Sequence, residues 1–439
     1  MTLTYIFHSG FVLEAERCIL VFDYWMDPEG VMRRFEGSAK HVYVFASHFH
    51  EDHFTRDIFS WRDSRHTYIL SKDILRHKRA TAGEADVWLT KGGTWEDANI
   101  RVTATGSNDS GVSWIVEVDG KRIFHAGDLC NWYARFLAEE PIPETVQSAE
   151  FGTINPVREE KMFLGELKDI ARLLQEHCAP RPSGEPCFDI AMFPVDGRIG
   201  NGYTLGARQF IERFRVGLLV PMHFGASGCE SAWRMEPFCQ EVGIPFWSIA
   251  GEGESIAIVD GLIIRKSTMA DIPRMREIFA HARQFMAQTG NPNQWVNDYP
   301  SEAFLSDDIN SGDSYVCILE AKDGRGGSCP KPGTNGRIVA TFLLRGGIDP
   351  TYNKIEGGSW LNEEPYATIH RIASDGSVHG ILHTAMTFAL RQYGNIRIDT
   401  HRDNRVMQAA VLKEGFRYCG IIYCWSGDER LAYQYSTPK

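Results

Sequence analysis

The densest cluster of metal-binding side chains in the sequence is Ser47-His48-Phe49-His50-Glu51-Asp52-His53-Phe54. It directly follows the run Val42-Tyr43-Val44-Phe45-Ala46, whose β-branched and aromatic residues predict a buried strand. The cluster therefore begins where a strand ends and a loop starts. Because His48 and His50 are two positions apart, their side chains leave the same face of an extended backbone and can converge on one ion.

This combination of imidazole and carboxylate groups predicts a metal site. Neutral imidazole nitrogens and carboxylate oxygens suit Zn²⁺, and also manganese or iron. The alternative is a histidine-rich surface loop that binds nothing. The string has the form H-x-H-x-D-H, and in it the chain resembles the metallo-β-lactamase superfamily of metal-dependent hydrolases.

The resemblance implies an αββα sandwich over residues 1–260, with one or two metal ions at the edge of the sheets. Two later segments match the superfamily's remaining ligand positions: Ile123–Asp128, which ends in the bridging aspartate, and Leu218–Gly225, which contains the last histidine. Asp52 and Asp128 would be catalytic residues. The implied metal ligands are His48, His50, Asp52, His53, Asp109, Asp128 and His223.

One of these ligands departs from the superfamily pattern. Asn108 stands where a histidine is usual, at the head of the turn Ser107–Trp114, and Asp109 follows it. Two arrangements therefore remain open. The first is a binuclear site completed by Asp109, and the second is a mononuclear site built on Asp52, His53, Asp128 and His223.

Other segments of this half are predicted to support the site. Residues 3–14 and 18–23 are predicted as two strands, and Asp23 matches an aspartate that supports the metal loop in the resembled superfamily. We interpret His8 as a hairpin histidine with satisfied hydrogen bonds. Residues 158–177 have the apolar periodicity of a helix that covers a sheet, with Phe163, Leu167, Ile170 and Leu174 on its inner face. Arg198 is a candidate either for an anionic substrate group or for a loop salt bridge.

Length and composition limit the overall organisation. A chain of 439 residues predicts two or three domains. The net charge of −11 is spread along the sequence, which disfavours nucleic acid as a partner. With no apolar run long enough to span a membrane and no recognisable signal peptide, we expect a cytoplasmic protein that acts on small molecules. The oligomeric state is open.

A second domain is predicted for residues 262–439. The pattern restarts at Leu262, and a capping-box sequence at 268–271 predicts a helix over residues 271–288. Strands are predicted at 315–320 and 338–344. The glycine- and proline-rich stretch 323–333 between them is predicted to be a flexible loop.

This second part resembles the GNAT acetyltransferase superfamily, with a mixed sheet. The resemblance rests on Arg265–Asp271, Ile369–Ser374, Asn404 and Gly415–Gly420. It implies that acetyl-CoA binds where a central strand opens into a loop, because backbone amides and a helix N-terminus attract pyrophosphate. The implied contacts are Ile372, Ala373, Ser374, Gly376, Val378, His379, Gly380 and Asn404.

The loop departs from the usual pattern of this superfamily. Ser377 stands at a normally basic position, Leu382 at a normally small one, and Val411 where a tyrosine often serves as general acid. The acid and base of the transfer remain open among three residues: Glu414, Tyr423 and His401.

Together these patterns predict a metal-dependent hydrolase of a small molecule fused to an acetyl-CoA-dependent N-acyltransferase. The alternatives are a protein that is mainly an acetyltransferase, with the metal domain recognising substrate, and a noncatalytic metal-bound scaffold.

Overall fold

The computed structural model describes residues 1–132, 146–148, 152–182, 185–199, 202–225, 227–259, 261–319 and 337–437. The described chain divides into two compact units, Met1–Ser255 and Ile256–Leu319 together with Arg337–Lys439. The predicted loop 323–333 lies outside the described residues. Within the described ranges, no helix is long and apolar enough to cross a membrane.

The first unit alternates strands with short helices. Its described strands are β1 (Thr2–Phe7), β2 (Gly10–Glu14), β3 (Cys18–Phe22), β4 (His41–Ala46), β5 (His66–Ser71), β6 (Val87–Leu89), β7 (Thr94–Glu96), β8 (Ile100–Gly106), β9 (Val112–Val118), β10 (Lys121–His125), β11 (Val146–Ser148), β12 (Gly152–Ile154), β13 (Ile190–Pro194) and β14 (Leu219–Met222). Its described helices are α1 (Lys72–Arg76), α2 (Pro156–His177), α3 (Leu205–Arg213), α4 (Cys229–Ala232) and α5 (Glu236–Val242).

Two mixed sheets form the centre of this unit. One has the order β1-β2-β3-β4-β5-β6 and the other β14-β13-β10-β9-β8-β7. Buried aromatic side chains join their facing surfaces: Phe45 on β4 lies 5.5 Å from Trp114 on β9, and Phe22 on β3 stacks 5.2 Å from His125 on β10, measured between ring centroids. The first unit is therefore a sandwich of two packed sheets accompanied by helices, as predicted.

The predicted single strand over residues 3–14 is wrong. The chain forms a hairpin there, with β1 and β2 pairing antiparallel from Thr2↔Glu14 to Phe7↔Gly10. His8 sits in the turn with a φ of 55°, which ends the extended run. Apolar residues continue through both strands, so the hydrophobic pattern alone does not reveal this turn.

Helix α2 agrees with its predicted span and buries one apolar face. Phe163, Leu167 and Ile170 are buried as predicted, but Leu173 completes the face in place of Leu174. Both positions lie on the same side of a helix, three and four residues after Ile170, so packing against the sheet decides between them.

The second unit is built on one mixed sheet. Its described strands are β15 (Ser255–Val259), β16 (Leu262–Lys266), β17 (Ser314–Leu319), β18 (Ile338–Gly346), β19 (Ala367–Ser374), β20 (Asn395–Thr400), β21 (Arg417–Tyr423) and β22 (Glu429–Ser436), in the order β15-β16-β17-β18-β19-β20-β22-β21. Its described helices are α6 (Ile272–Gln288), α7 (Glu302–Asn310), α8 (Ile381–Leu390) and α9 (Arg405–Lys413). This mixed-sheet α/β arrangement is the predicted fold class of the C-terminal part.

A buried ion pair fixes the start of this unit. Oδ1 and Oδ2 of Asp271 accept hydrogen bonds of 2.8 and 2.7 Å from the Arg265 guanidinium. The Asp271 carboxylate also accepts a hydrogen bond from the Thr268 backbone, completing the predicted capping box. Burial opposes ionisation of Asp271, but Arg265 outweighs it and lowers the pKa of the carboxyl.

We expect Asp271→Asn to destabilise the protein by about 3 kcal/mol, because it removes the carboxylate charge that compensates the largely buried Arg265 guanidinium. The folded-state pKa of Asp271 lies below its unfolded value. The stabilisation is therefore present above pH ~4 and is lost as the pH falls through the folded-state pKa. Urea unfolding at several pH values measures this difference. Glu277→Gln is the control, because it removes an exposed helical carboxylate beside Arg274 and should cost less than about 0.5 kcal/mol. Equal losses of stability in the two variants would contradict the stabilising role assigned to the Arg265–Asp271 pair.

Two turn glycines test how tightly the metal loop is packed. Gly111 and Gly120 both have positive φ, at 66° and 72°. A Cβ at Gly111 would overlap the Ser47 carbonyl oxygen and Cβ of His48, whereas a Cβ at Gly120 would meet nothing within 4 Å. Gly120→Ala should therefore cost about 1 kcal/mol of backbone strain. Gly111→Ala should lower the free energy of unfolding by about 1–3 kcal/mol more than Gly120→Ala, as measured by urea unfolding. Equal losses in the two variants would show that the loop after β4 can move to accommodate the added methyl group.

Candidate functional sites

The carboxyl ends of parallel strands bring the candidate metal ligands together. In the first sheet, β3 leads into Asp23 and parallel β4 leads into the segment Ser47–Phe54. In the second sheet, parallel strands β10, β13 and β14 lead into Asp128, Asp196 and His223. Ligands from distant parts of the sequence meet because these strand ends share one edge of the sandwich.

Asp128 lies at the centre of the cluster. Nε2 of His48 is 3.1 Å from its Oδ2, while Nε2 of His53 and Nε2 of His223 lie 2.9 and 3.4 Å from its Oδ1. All four residues are buried. A carboxylate that faces three imidazoles from its two oxygens has the geometry of a bridging ligand.

A second group surrounds His50 and Asp109. Nδ1 of His50 lies 3.8 Å from Oδ2 of Asp128 and 2.9 Å from Nε2 of His48. One possible ligand atom from each of His50, Asp109 and Asp128 lies within 4.8 Å of the others. Asn108 turns away from this group, because its side chain forms hydrogen bonds of 2.9 and 3.3 Å with the Cys130 backbone.

A third group contains Asp52 and the turn residue His8. Oδ2 of Asp52 lies 3.2 Å from Nε2 of His8 and 3.8 Å from Nε2 of His223. His8 is 2% exposed, and its ring centroid lies 4.1 Å from that of His223. His8 belongs to a hairpin, as predicted, and its ring also faces the cluster, which the sequence did not indicate.

Three of the histidines are oriented by acceptors behind them. Nδ1 of His53 lies 2.6 Å from Oδ2 of Asp23, and Nδ1 of His223 lies 2.9 Å from Oδ2 of Asp196. Nδ1 of His48 lies 2.9 Å from Oγ of Ser47, which itself donates to Asp23. With a metal ion bound, each Nδ1 would keep its proton and each Nε2 would offer a lone pair to the ion.

The charges within the cluster favour an ionised carboxylate at its centre. Burial opposes ionisation of Asp128, but His53, His48 and His223 outweigh it and hold the pKa of its carboxyl well below the usual range. Burial likewise opposes protonation of His53, but Asp128 and Asp23 raise its pKa well above the usual value. Burial lowers the pKa of His8 to about 4, although the Asp52 hydrogen bond raises it.

The unpartnered atoms of the cluster fit a metal ion. Nε2 of His53 and Oδ1 of Asp128 are buried 2.9 Å apart, but this contact lacks hydrogen-bond geometry, and neither atom forms a hydrogen bond among the described residues. A buried polar atom without a partner is costly. A cation held by these nitrogen and oxygen donors would satisfy them, and this donor set suits Zn²⁺, manganese or iron.

Three of the eight described residues other than glycine that have a positive φ lie at this cluster. His8, Asp23 and His223 have φ values of 55°, 40° and 67°, which side-chain-bearing residues rarely adopt. Such strain is maintained only when surrounding contacts over-determine it, and it clusters at functional sites. The three strained residues belong to the metal cluster and its immediate support.

Asp196 is a supporting residue that the sequence did not single out. The Asp196 carboxylate accepts a hydrogen bond from Nδ1 of His223. It also accepts two hydrogen bonds from the Arg198 guanidinium, whose Nε and Nη2 lie 2.8 and 2.6 Å from Oδ2. The salt-bridge alternative for Arg198 is therefore the one that the structure shows. Its position could have identified it, because Asp196 follows a buried strand that runs parallel to the strand before Asp128.

The second unit contains a cavity of about 1150 Å³. The residues that the GNAT resemblance assigned to acetyl-CoA all line it: Ile372, Ala373, Ser374, Gly376, Val378, His379, Gly380 and Asn404. The loop after β19 leads to Gly380, which has a φ of 82° and precedes the first residue of α8. Asn404 accepts from the Met407 backbone N–H at 3.0 Å and so caps α9.

Strands β19 and β20 open toward this cavity. They pair in parallel at Ala367↔Ile396 and Thr368↔Arg397, near the start of both strands. Beyond that point His370 on β19 and Asp399 on β20 both line the cavity. Nε2 of His370 lies 2.8 Å from Oδ2 of Asp349, and its Nδ1 lies 3.7 Å from Oδ1 of Asp399.

The residues left open as acid and base lie elsewhere. Glu414 contacts Nδ1 of His383 at 2.7 Å, and Tyr423 donates to Glu356 at 3.0 Å. Neither they nor His401 are among the described residues that line the cavity. His370 belongs to the strand motif Ile369–Ser374, and its place beside Asp349 depends on tertiary contacts.

No protein-family model matches the chain. It is 26% identical over 228 residues to a UPF0173 metal-dependent hydrolase from Korarchaeum cryptofilum, a match that covers 50% of this chain and 82% of that protein. The chain resembles a metal-dependent hydrolase joined to a GNAT acetyltransferase. A GNAT-family acetyltransferase from Streptococcus agalactiae is 28% identical, covering 42% of this chain and 99% of that one with a TM-score of 0.36. A metallo hydrolase from Ignicoccus hospitalis is 15% identical, covering 59% and 99% with a TM-score of 0.39.

Proposed function

We propose that residues 1–260 form a metal-dependent hydrolase domain that acts on a small molecule. The observation that carries this proposal is the buried convergence of His48, His53 and His223 on Asp128, a set of imidazole nitrogens and carboxylate oxygens that suits a metal ion. The proposed ligands are His48, His50, Asp52, His53, Asp109, Asp128 and His223.

Each group would have a distinct part in the chemistry. When bound, the metal supplies a Lewis acid that activates water near neutral pH and polarises the scissile bond. Asp128 would bind the metal from the buried side of the cluster. Asp52, whose side chain is 31% exposed, would bind it from the side open to solvent. Asp23 and Asp196 keep His53 and His223 in the tautomer that leaves Nε2 free to coordinate.

We favour two metal ions, with Asp109 in the place of the usual histidine. Asp109 groups with His50 and Asp128, whereas Asn108 is committed to the Cys130 backbone. Carboxylate oxygen is a competent substitute for imidazole at a zinc, manganese or iron site. The binuclear arrangement thus uses every ligand that the sequence offers.

We expect about two metal ions per chain in the parent protein and about one in Asp109→Ala, because the variant removes a ligand from the His50 group. Inductively coupled plasma mass spectrometry measures the content. Glu51→Ala is the matched control, since Glu51 lies in the same loop but is 80% exposed and faces Arg79.

The outcomes of this experiment separate the alternatives. About one ion in both the parent and Asp109→Ala would contradict the role of Asp109 and favour a mononuclear site. An unchanged content of about two in the variant would leave Asp109 outside the site. Failure of the reconstituted parent to bind any metal would contradict the hydrolase proposal itself.

We further propose that residues 262–439 transfer an acetyl group from acetyl-CoA to an amine. The observation that favours this is the cavity of about 1150 Å³, because the loop 374–380 and the first residue of α8 line it together. Backbone amides at a helix N-terminus attract the pyrophosphate of the cofactor. The bulky Leu382 lies beside this region and lines the same cavity, so it leaves room for a ligand.

His370 is the residue that we assign to proton transfer in this domain. Its imidazole reaches the cavity between Asp349 and Asp399, which suits a group that accepts a proton from an attacking amine. Asp349 itself is fixed by hydrogen bonds from the backbone N–H and the hydroxyl of Thr351, at 2.9 and 2.6 Å. It therefore holds the imidazole in one orientation.

We expect calorimetry to detect acetyl-CoA binding to the parent protein and at least about tenfold weaker binding to Val378→Glu, because a carboxylate in the loop would repel the pyrophosphate. Leu412→Glu is the matched control, since Leu412 on α9 is 53% exposed and is not among the residues that line the cavity. Equal affinities of parent and Val378→Glu would contradict the proposed cofactor position. No binding to the parent would favour a hydrolase with a noncatalytic second domain.

A further inference from the structure

One ring nitrogen of His8 faces a hydrogen-bond donor and the other faces a carboxylate acceptor. From these contacts we infer that His8 positions Asp52, by donating a hydrogen bond from Nε2 to Oδ2 of that carboxylate. This inference rests on the proposed metal centre, in which Asp52 is a ligand. It assigns to His8 the role of orienting the metal ligand rather than coordinating the metal.

The Nδ1 atom of His8 fixes the proton on the other nitrogen. The backbone N–H of Gly225 donates to this Nδ1 at 3.2 Å. An imidazole nitrogen that accepts a hydrogen bond carries no proton, so in neutral His8 the proton is on Nε2. Nε2 therefore presents a donor to the cluster, where a metal ligand would have to present a lone pair.

This polarity is the reverse of that in the other oriented histidines. His48, His53 and His223 each have an acceptor behind Nδ1, namely Ser47, Asp23 and Asp196. Their Nε2 atoms are consequently free to coordinate a cation. Nδ1 of His223 also lies 3.3 Å from the Arg198 guanidinium, but the Asp196 carboxylate is closer and accepts its hydrogen bond. Behind His8 the contact is a backbone N–H donor, so the same cluster contains three ligand-type imidazoles and one donor-type imidazole.

The partner of the His8 donor is Asp52. Nε2 of His8 is buried and forms no hydrogen bond of good geometry among the described residues, but Oδ2 of Asp52 lies only 3.2 Å from it. A hydrogen bond to Oδ2 leaves Oδ1 of the carboxylate for the metal. Asp52 needs such a contact because it stands in a loop with its side chain 31% exposed.

The His8 ring is held firmly enough to serve this purpose. Its backbone N–H donates to the Tyr5 hydroxyl at 2.8 Å, and its carbonyl oxygen accepts from the His223 backbone at 3.0 Å. Trp25 packs edge-on against the ring at 5.8 Å between centroids. The strained turn at φ 55° thus aims the imidazole at a fixed point.

The test is to titrate metal-free protein with Co²⁺, comparing the parent with His8→Ala and His8→Gln. Removal of a group that orients a metal ligand typically costs about 10- to 100-fold in affinity, which we expect for His8→Ala. The side-chain amide of Gln retains an N–H donor, so His8→Gln should lose less than about tenfold. At saturating Co²⁺ the visible absorption bands and the number of ions bound should match the parent in both variants.

His66→Ala is the control, because His66 lies beside Asp63, outside the cluster, and should leave Co²⁺ affinity unchanged. Loss of one bound ion at saturation, with altered absorption bands, would overturn the inference and make His8 a ligand. Parent-like affinity in His8→Ala, or equal losses in the Ala and Gln variants, would overturn it in favour of simple packing. A parent that binds no Co²⁺ would instead refute the metal centre.

Discussion

The buried carboxylate of Asp23 is the constraint on which the metal loop depends. It accepts hydrogen bonds from the backbone and hydroxyl of Ser47, at 2.7 and 2.6 Å, and lies 2.6 Å from Nδ1 of His53. Burial by itself would raise the pKa of this carboxyl, but His125 and His53 lower it. One charged group therefore sets the path of the loop after β4 and the tautomer of a ligand, and its desolvation is compensated by those same contacts.

The two units bring their functional side chains together in different ways. In the first, parallel strand ends from two packed sheets supply side chains from five separated segments to one point. In the second, neighbouring parallel strands β19 and β20 are paired near their starts and leave a cavity beyond, so backbone and side chains of one sheet form the site. The first arrangement suits a cation that needs several ligands, and the second suits an elongated ligand that needs a groove.

Much of the architecture was predictable because local patterns carry it. Asp119-Gly120 is a sequence typical of a tight hairpin turn, and β9 and β10 pair across it with Val118 opposite Lys121. Helix α6 follows the predicted capping box, and α2 follows its apolar periodicity. The turn at His8 was missed because apolar residues flank it on both sides. The amino-acid sequence does not indicate that this histidine adopts a positive φ.

The sequence by itself determined the chemistry that each segment offers: the H-x-H-x-D-H string, the later aspartate and histidine after buried strands, and the loop before α8. Tertiary structure alone decided which of these groups meet. Asp196 stands behind His223, His8 beside Asp52, and Asp349 beside His370, across separations of 27, 44 and 21 residues. The physical reason is that spacing along a chain fixes partners only within one turn, helix or strand. Contacts across sheets depend on how the strand ends pack together.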